Sequence, residues 1–179
     1  YIEMPCYAEG DLWRWLETSA RSAAERVAVL RQALCGLEHV HRMGVVHADV
    51  KPDNVFVDEH GIAKLGEFDV SKDDATRVTM HAGTLVGFTL LYAAPELISG
   101  SCITATKASD MYAFGLTVFD VMVGARKLAR ASSINVDLGP LAACEPSGGG
   151  VREVVRQLLL ANSNVRPSAT RALTMGAFA

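Results

Sequence analysis

The chain has 179 residues, 50% hydrophobic and 21% charged, which is enough apolar surface for one packed domain and excludes a wholly disordered segment. Its net charge of −3, with 17 scattered Lys and Arg, offers no basic field for a phosphate backbone and argues against nucleic acid as the main ligand. Cys6, Cys35, Cys102 and Cys144 form no CxxC pair and have no His at zinc-ligand spacing, so they read as reduced, mostly buried thiols.

In chain order, Leu12 and Leu16 lie four apart behind Asp11, which predicts a short helix capped by Asp11. Ser22 and Glu25 have capping-box spacing, Leu30, Ala33, Leu34, Leu37 and Val40 recur at helical intervals, and Gly44 supplies a stop, so a longer amphipathic helix is predicted here. Val55–Val57 and Ile62–Leu65, separated by Asp58-Glu59-His60-Gly61, read as a small hairpin. Ser71 to Thr89 is polar, without period, and reads as a long loop. Thr106–Gly124 is a strongly apolar helix, Gly150–Ala161 another, and Ser168–Phe178 is expected to close the chain as one more. Residues 128–150 carry no clear pattern. The longest apolar run, Met111 to Gly124, is broken by Asp120 and falls short of the ~20 residues a membrane span needs; a cytoplasmic location without membrane association is the default expectation.

The most informative string is His47-Ala48-Asp49-Val50-Lys51-Pro52-Asp53-Asn54, between the long helix and the hairpin. It places a carboxylate, a cation and an amide oxygen on one tight loop, the groups that phosphoryl transfer needs to orient a hydroxyl, neutralise the moving phosphate and hold Mg²⁺. Alone it also reads as an Asp/Pro/Asn turn without chemistry.

This string resembles the HRDxKxxN catalytic loop of the eukaryotic protein kinases, with Ala48 at the usual Arg. Four more strings follow in the family's order. Glu67-Phe68-Asp69 stands where the family has Asp-Phe-Gly, and Tyr92-Ala93-Ala94-Pro95-Glu96 resembles the end of the activation segment. Ser109-Asp110-Met111-Tyr112-Ala113-Phe114-Gly115 resembles the buried anchoring helix, and Asn164-Val165-Arg166-Pro167-Ser168 resembles the RP motif. Upstream, Ile2 to Leu12 is similar to the hinge between the two lobes and the helix after it.

The resemblance implies a mainly α fold with a small β-hairpin, a kinase-like C-lobe: residues 1–179 as a partial kinase domain, with hinge at 1–12, catalytic loop at 45–54 and activation segment at 67–96. The implied activity is transfer of the γ-phosphate of ATP, with Mg²⁺, to Ser or Thr hydroxyls of a protein substrate, because Lys51-Pro52 matches the serine/threonine type. Asp49, Lys51 and Thr89 would be catalytic, and Asn54 and Glu67 would hold metal. Met4, Pro5, Cys6, Tyr7, Asp11 and Phe56 would bind ATP, whereas His47, Phe68, Glu96, Asp110 and Arg166 would be structural. The family's Gly-rich loop and strand Lys have no match in these residues, so an upstream N-lobe is expected and the 179 residues alone are expected to be inactive. Ala48 makes the loop a non-RD type, without the Arg that receives an activation-segment phosphate. Glu67, one methylene longer than Asp, supports the alternative of a pseudokinase or protein-interaction module.

Overall fold

The computed structural model describes residues 7, 9–69, 71–73, 90–99, 104–124, 136–145 and 150–179. Among these, six α-helices and two two-stranded antiparallel sheets alternate with short 3-10 turns. Helix α1 (Leu12–Thr18) starts where the Asp11 carboxylate accepts the Arg14 N–H. Helix α2 (Ala23–Arg42) starts at Ser22, whose hydroxyl accepts the Glu25 N–H while the Glu25 carboxylate accepts the Ser22 N–H. These reciprocal bonds satisfy backbone donors that have no partner inside the helix. Val29, Leu30, Ala33, Leu34 and Leu37 line the buried face of α2, and the sequence's 3.6-residue period is the reason they share it.

Strand β1 (Val45–Val46) follows, then the catalytic-loop string, and then the hairpin of β2 (Val55–Val57) and β3 (Ala63–Leu65), paired Val55 to Leu65 and Val57 to Ala63. Helix α3 (Pro95–Ser99) precedes α4 (Lys107–Val123), which is buried from Ser109 to Met122 and forms the centre of the core. Helix α4 is capped by reciprocal bonds between Thr106 and Ser109 and stops at the left-handed Gly124. At that end Arg26 of α2 donates Nη1 to the Val121 and Met122 carbonyls, so a cation meets the negative end of the helix. Helix α5 (Val151–Leu158) buries Val151, Val154, Val155 and Leu158 against α4.

Three expectations change. The loop predicted over Ser71 to Thr89 contains strand β4 (Lys72–Asp73), which pairs with β1 with Val46 opposite Lys72; backbone pairing between two short segments leaves no periodicity to read. The predicted closing helix is only α6 (Ala169–Ala172), followed by an extended Met175 and a 3-10 turn at Gly176–Phe178. Gly176 has φ +47° and packs so closely on Gly150 that a Cβ there would lie 2.9 Å from the Gly150 oxygen. The break turns Phe178 into the core, where it is fully buried with its ring 6.1 Å from that of Phe114, so burial overrides local helix propensity. Cys35, expected among the buried thiols, lies exposed on the outer face of α2.

Candidate active site

The catalytic-loop string folds as a tight turn anchored from below. Asp110, in the first turn of α4, is 2% exposed and its carboxylate accepts hydrogen bonds from two successive backbone amides, His47 N at 2.8 Å and Ala48 N at 2.8 Å. Ala48 has φ +68°, a left-handed conformation that costs a non-glycine residue on the order of 1 kcal/mol and persists where its surroundings over-determine it. The two amide bonds to Asp110 supply that determination. Beyond the turn, a 3-10 segment at Pro52–Asn54 is fixed from the side by Trp13 of α1, whose indole N–H donates to Asp53 Oδ2 at 3.1 Å.

These constraints bring three of the expected residues together. Lys51 Nζ lies 2.7 Å from Asp49 Oδ2, and Asn54 Nδ2 donates to the same oxygen at 2.8 Å and to the Asp49 carbonyl at 2.8 Å. Both donors engage Oδ2; among the described residues none bonds Asp49 Oδ1, so that oxygen is available to a hydroxyl. The pair of Lys51 and Asp49 is partly shielded, with 19% and 13% of their side chains exposed, so its attraction is screened less than on an open surface.

His47 is fully buried beneath this cluster. Its Nε2–H donates to the Gly66 carbonyl at 3.0 Å and its Nδ1 accepts the Asp49 N–H at 3.3 Å, so both ring nitrogens are used by the neutral form. Burial pushes the His47 pKa below its ordinary value, outweighing the opposing pull of Asp110. Through Gly66 the ring links Asp49 to the Glu67-Phe68-Asp69 string, and the Phe68 ring lies 4.8 Å from that of His47. Glu67 itself has φ +60° and is exposed. A Cβ on Gly66 would sit 2.7 Å from the Phe56 ring, so any side chain here would have to displace that ring.

Phe56 stacks on Tyr7 with ring centroids 5.4 Å apart, and Asp11 bridges to Phe56 through the backbone next to the bond from Val57 N to the Gly10 carbonyl. Tyr7, Asp11 and Phe56 are therefore neighbours, although the Asp11 carboxylate is occupied as a helix cap. Met4, Pro5, Cys6 and Thr89 lie outside the described residues. On the far side, Glu96 and Arg166 form a two-pronged ion pair at 2.8 and 3.0 Å. The Arg166 side chain is fully buried, donates also to the Leu160 and Ala108 carbonyls, and lies over the Tyr112 ring.

Three contacts, two of them buried and one partly buried, were not legible in the sequence. His41, in the last turn of α2, donates Nε2–H to Asp110 Oδ2 at 2.9 Å. Tyr92 donates its hydroxyl to Asp120 Oδ2 at 2.8 Å, which explains the acid in the middle of an apolar helix. The third is the bond from Trp13 to Asp53. Each joins residues 28 to 69 positions apart, so no local spacing signals it.

The model of the family described as "Protein kinase domain" matches residues 1–176, and the chain belongs to this family. It is 36% identical over 118 residues to a serine/threonine-protein kinase PknA of Corynebacterium glutamicum, covering 66% of this chain and 24% of that one. It is 32% identical over 157 residues to PknL of Mycobacterium tuberculosis, covering 84% and 39% respectively. The serine/threonine-protein kinase mos of Gallus gallus is 30% identical over 125 residues, 65% of this chain and 35% of that one. The chain thus spans about a quarter to two fifths of these relatives. No helix among the described residues is long and apolar enough to cross a membrane.

Proposed function

We propose that this chain supplies the catalytic lobe of a serine/threonine protein kinase, transferring the γ-phosphate of ATP to a Ser or Thr hydroxyl of a protein substrate. The observation that carries the reading is the Asp49 carboxylate, held through Oδ2 by Lys51 and Asn54 with Oδ1 left for a hydroxyl. In this reading Asp49 orients the substrate hydroxyl and takes its proton as the new P–O bond forms and the bond to ADP breaks. Lys51 neutralises charge on the phosphoryl group in transit, a role for a cation within reach of both. Thr89 is assigned a hydrogen bond to Asp49 and Lys51 on the strength of the sequence resemblance.

Magnesium takes hard oxygen ligands, usually a few from protein and the rest from phosphates and water. Among the described residues no three His, Cys, Asp or Glu converge on a metal site, which suits an ion held by only Asn54 and Glu67 together with nucleotide. Asn54 commits its Nδ2 to Asp49 and keeps Oδ1 for a cation, so the donors fit. Bound magnesium would offset the phosphate charge. Residues 1–12 are proposed as the hinge, 45–54 as the catalytic loop and 67–96 as the activation segment. Met4, Pro5, Cys6, Tyr7, Asp11 and Phe56 are proposed to face the nucleotide beneath an N-lobe. His47, Phe68, Glu96, Asp110 and Arg166 are assigned scaffold roles.

One observation favours a pseudokinase instead. Glu67 carries its carboxylate one methylene further from the backbone than Asp, and misplacement of about 1 Å can cost ~100-fold in rate. The two readings part in a transfer assay with γ-labelled ATP in a chain carrying both lobes. The kinase reading expects label on Ser or Thr of an acceptor protein; a pseudokinase gives none above the Asp49→Asn control. Without an N-lobe, residues 1–179 are expected to give none either.

A further inference from the structure

We propose that Trp13 is a positioning residue that sets Asn54 for magnesium, acting through the Asp53 carboxylate. The proposal rests on the kinase reading for its activity readout, while the tethers themselves are geometric. The indole Nε1–H of Trp13 donates to Asp53 Oδ2 at 3.1 Å, across 40 positions of sequence. Beyond Asn54, Val57 N donates to the Gly10 carbonyl at 2.8 Å, and Asp11 bridges to Phe56 beside it. Asn54 therefore stands between two ties to the start of α1, one through a side chain just before it and one through the backbone shortly after. Helix α1 is a firm partner for both, because Asp11 caps it and Leu12, Trp13 and Trp15 are buried.

The turn that carries Asn54 has little hold of its own. It is one short 3-10 segment, Pro52–Asn54, closed by bonds from Asn54 N to the Lys51 carbonyl at 3.1 Å and from Val55 N to the Pro52 carbonyl. Hydrogen bonds of that type are poorly aligned, and Pro52 brings no N–H to add another. A side-chain tether therefore weighs heavily in the orientation of the turn. Asn54 cannot shift without consequence: its Nδ2 holds the Asp49 carbonyl and Oδ2, and its own carbonyl accepts Gly66 N at 3.0 Å. Asp53 is the residue directly before it, so freeing that carboxylate from the indole lets the turn rotate and moves the Asn54 amide relative to both Asp49 and the proposed ion. The indole N–H is a donor only, so Trp13 supplies no metal ligand and its effect passes through Asp53.

Amide hydrogen exchange in the full chain tests this, with Asn54 read against Val118 in the middle of α4. Trp13→Phe, which keeps a ring but loses the N–H, should lower protection at Asn54 about fivefold more than at Val118, the weight of one hydrogen bond to a partly hydrated acceptor. Asp53→Ala should lower it at least as much, and adding Trp13→Phe to it should cost less than about twofold more, because the two changes remove the same bond. Asp53→Asn, whose Oδ1 still accepts the indole N–H, should keep the ratio within about twofold of wild type. If Trp13→Phe does not fold, the contrast between Asp53→Ala and Asp53→Asn decides alone. Equal loss at Asn54 and Val118, additive losses in the double variant, or an Asp53→Asn variant that behaves like Asp53→Ala would overturn the proposal. In a chain with both lobes, Trp13→Phe should raise the Mg²⁺ concentration for half-maximal transfer about fivefold and leave the KM for the acceptor protein within about twofold; an unchanged Mg²⁺ requirement would overturn the link to the ion. A wild type without transfer would remove the kinase reading, while the exchange ratio would still decide the role of Trp13.

Discussion

Replacing Arg166 by methionine should destabilise the fold more than replacing its partner Glu96 by glutamine. The side chain of Arg166 is fully buried, and besides Glu96 it serves the Leu160 carbonyl at 2.8 and 3.0 Å and the Ala108 carbonyl at 2.6 Å. Arg166→Met strands those carbonyls and leaves Glu96 without its cation, a loss of about 3–5 kcal/mol. Glu96 is 29% exposed, so its unpaired charge recovers part of its hydration, which places the loss toward the lower end of that range. Glu96→Gln keeps an oxygen for one prong of the guanidinium and both backbone carbonyls, so about 1–2 kcal/mol is expected. Urea unfolding at constant slope measures both, and the gap is wide enough to read from the midpoints alone. If Arg166→Met fails to fold, Arg166→Lys, which keeps the charge but not the fork, should fall between the two. Equal losses, or a larger one for Glu96→Gln, would refute the idea that the carbonyl contacts of Arg166 carry as much as its ion pair.

Three further outcomes are expected. Burial holds the His47 pKa below its ordinary value, so the unfolded chain binds a proton that the folded one refuses: the stability from this group is complete above about pH 6.5 and is lost as pH falls through the folded value, at up to ~1.4 kcal/mol per pH unit. Unfolding midpoints of wild type and His47→Gln should therefore converge between pH 7.5 and 5, and parallel profiles would contradict the assignment. In a chain with both lobes, Glu67→Asp should raise turnover if Glu67 is a strained metal ligand, whereas a fall would mean that the site is built around the longer side chain. On the proposed bond of Thr89 to Asp49 and Lys51, Thr89→Ala should cost about tenfold or more in turnover, whereas Thr76→Ala, Thr79→Ala and Thr84→Ala should each change it less than about threefold, since Ala48 offers no guanidinium to a phosphate. Strong loss at one of those three, rescued by an acidic substitution, would show another basic residue doing that work.

The caps of α1 and α2 and the hairpin turn were legible because their signals are local: Ser22 and Glu25 lie three residues apart, and Asp58 accepts the His60 and Ile62 amides within its own turn. The catalytic-loop string was legible for the same reason, since Asp49, Lys51 and Asn54 lie within five positions of one another. Remote partnerships were not. Nothing in the sequence around His41 points to its partner Asp110, which lies 69 residues later. Helix periodicity at the C-terminus fails because burying Phe178 requires the positive φ of Gly176, and β4 was hidden because its partner β1 is only two residues long. Ala48 illustrates both limits. The sequence shows the missing Arg, but only the fold shows that its backbone is left-handed and bound to Asp110.

Asp49, held by Lys51 and Asn54, is proposed to direct phosphoryl transfer to an aliphatic hydroxyl. Its most direct test is phosphoamino-acid analysis of an acceptor protein incubated with γ-labelled ATP and Mg²⁺, using a chain that carries both lobes, wild type beside Asp49→Asn. Label is expected on phosphoserine or phosphothreonine, reduced at least about a hundredfold by Asp49→Asn, within the ~10²–10⁴ that a positioned proton acceptor contributes. Label on phosphotyrosine, or equal labelling by both proteins, would contradict it.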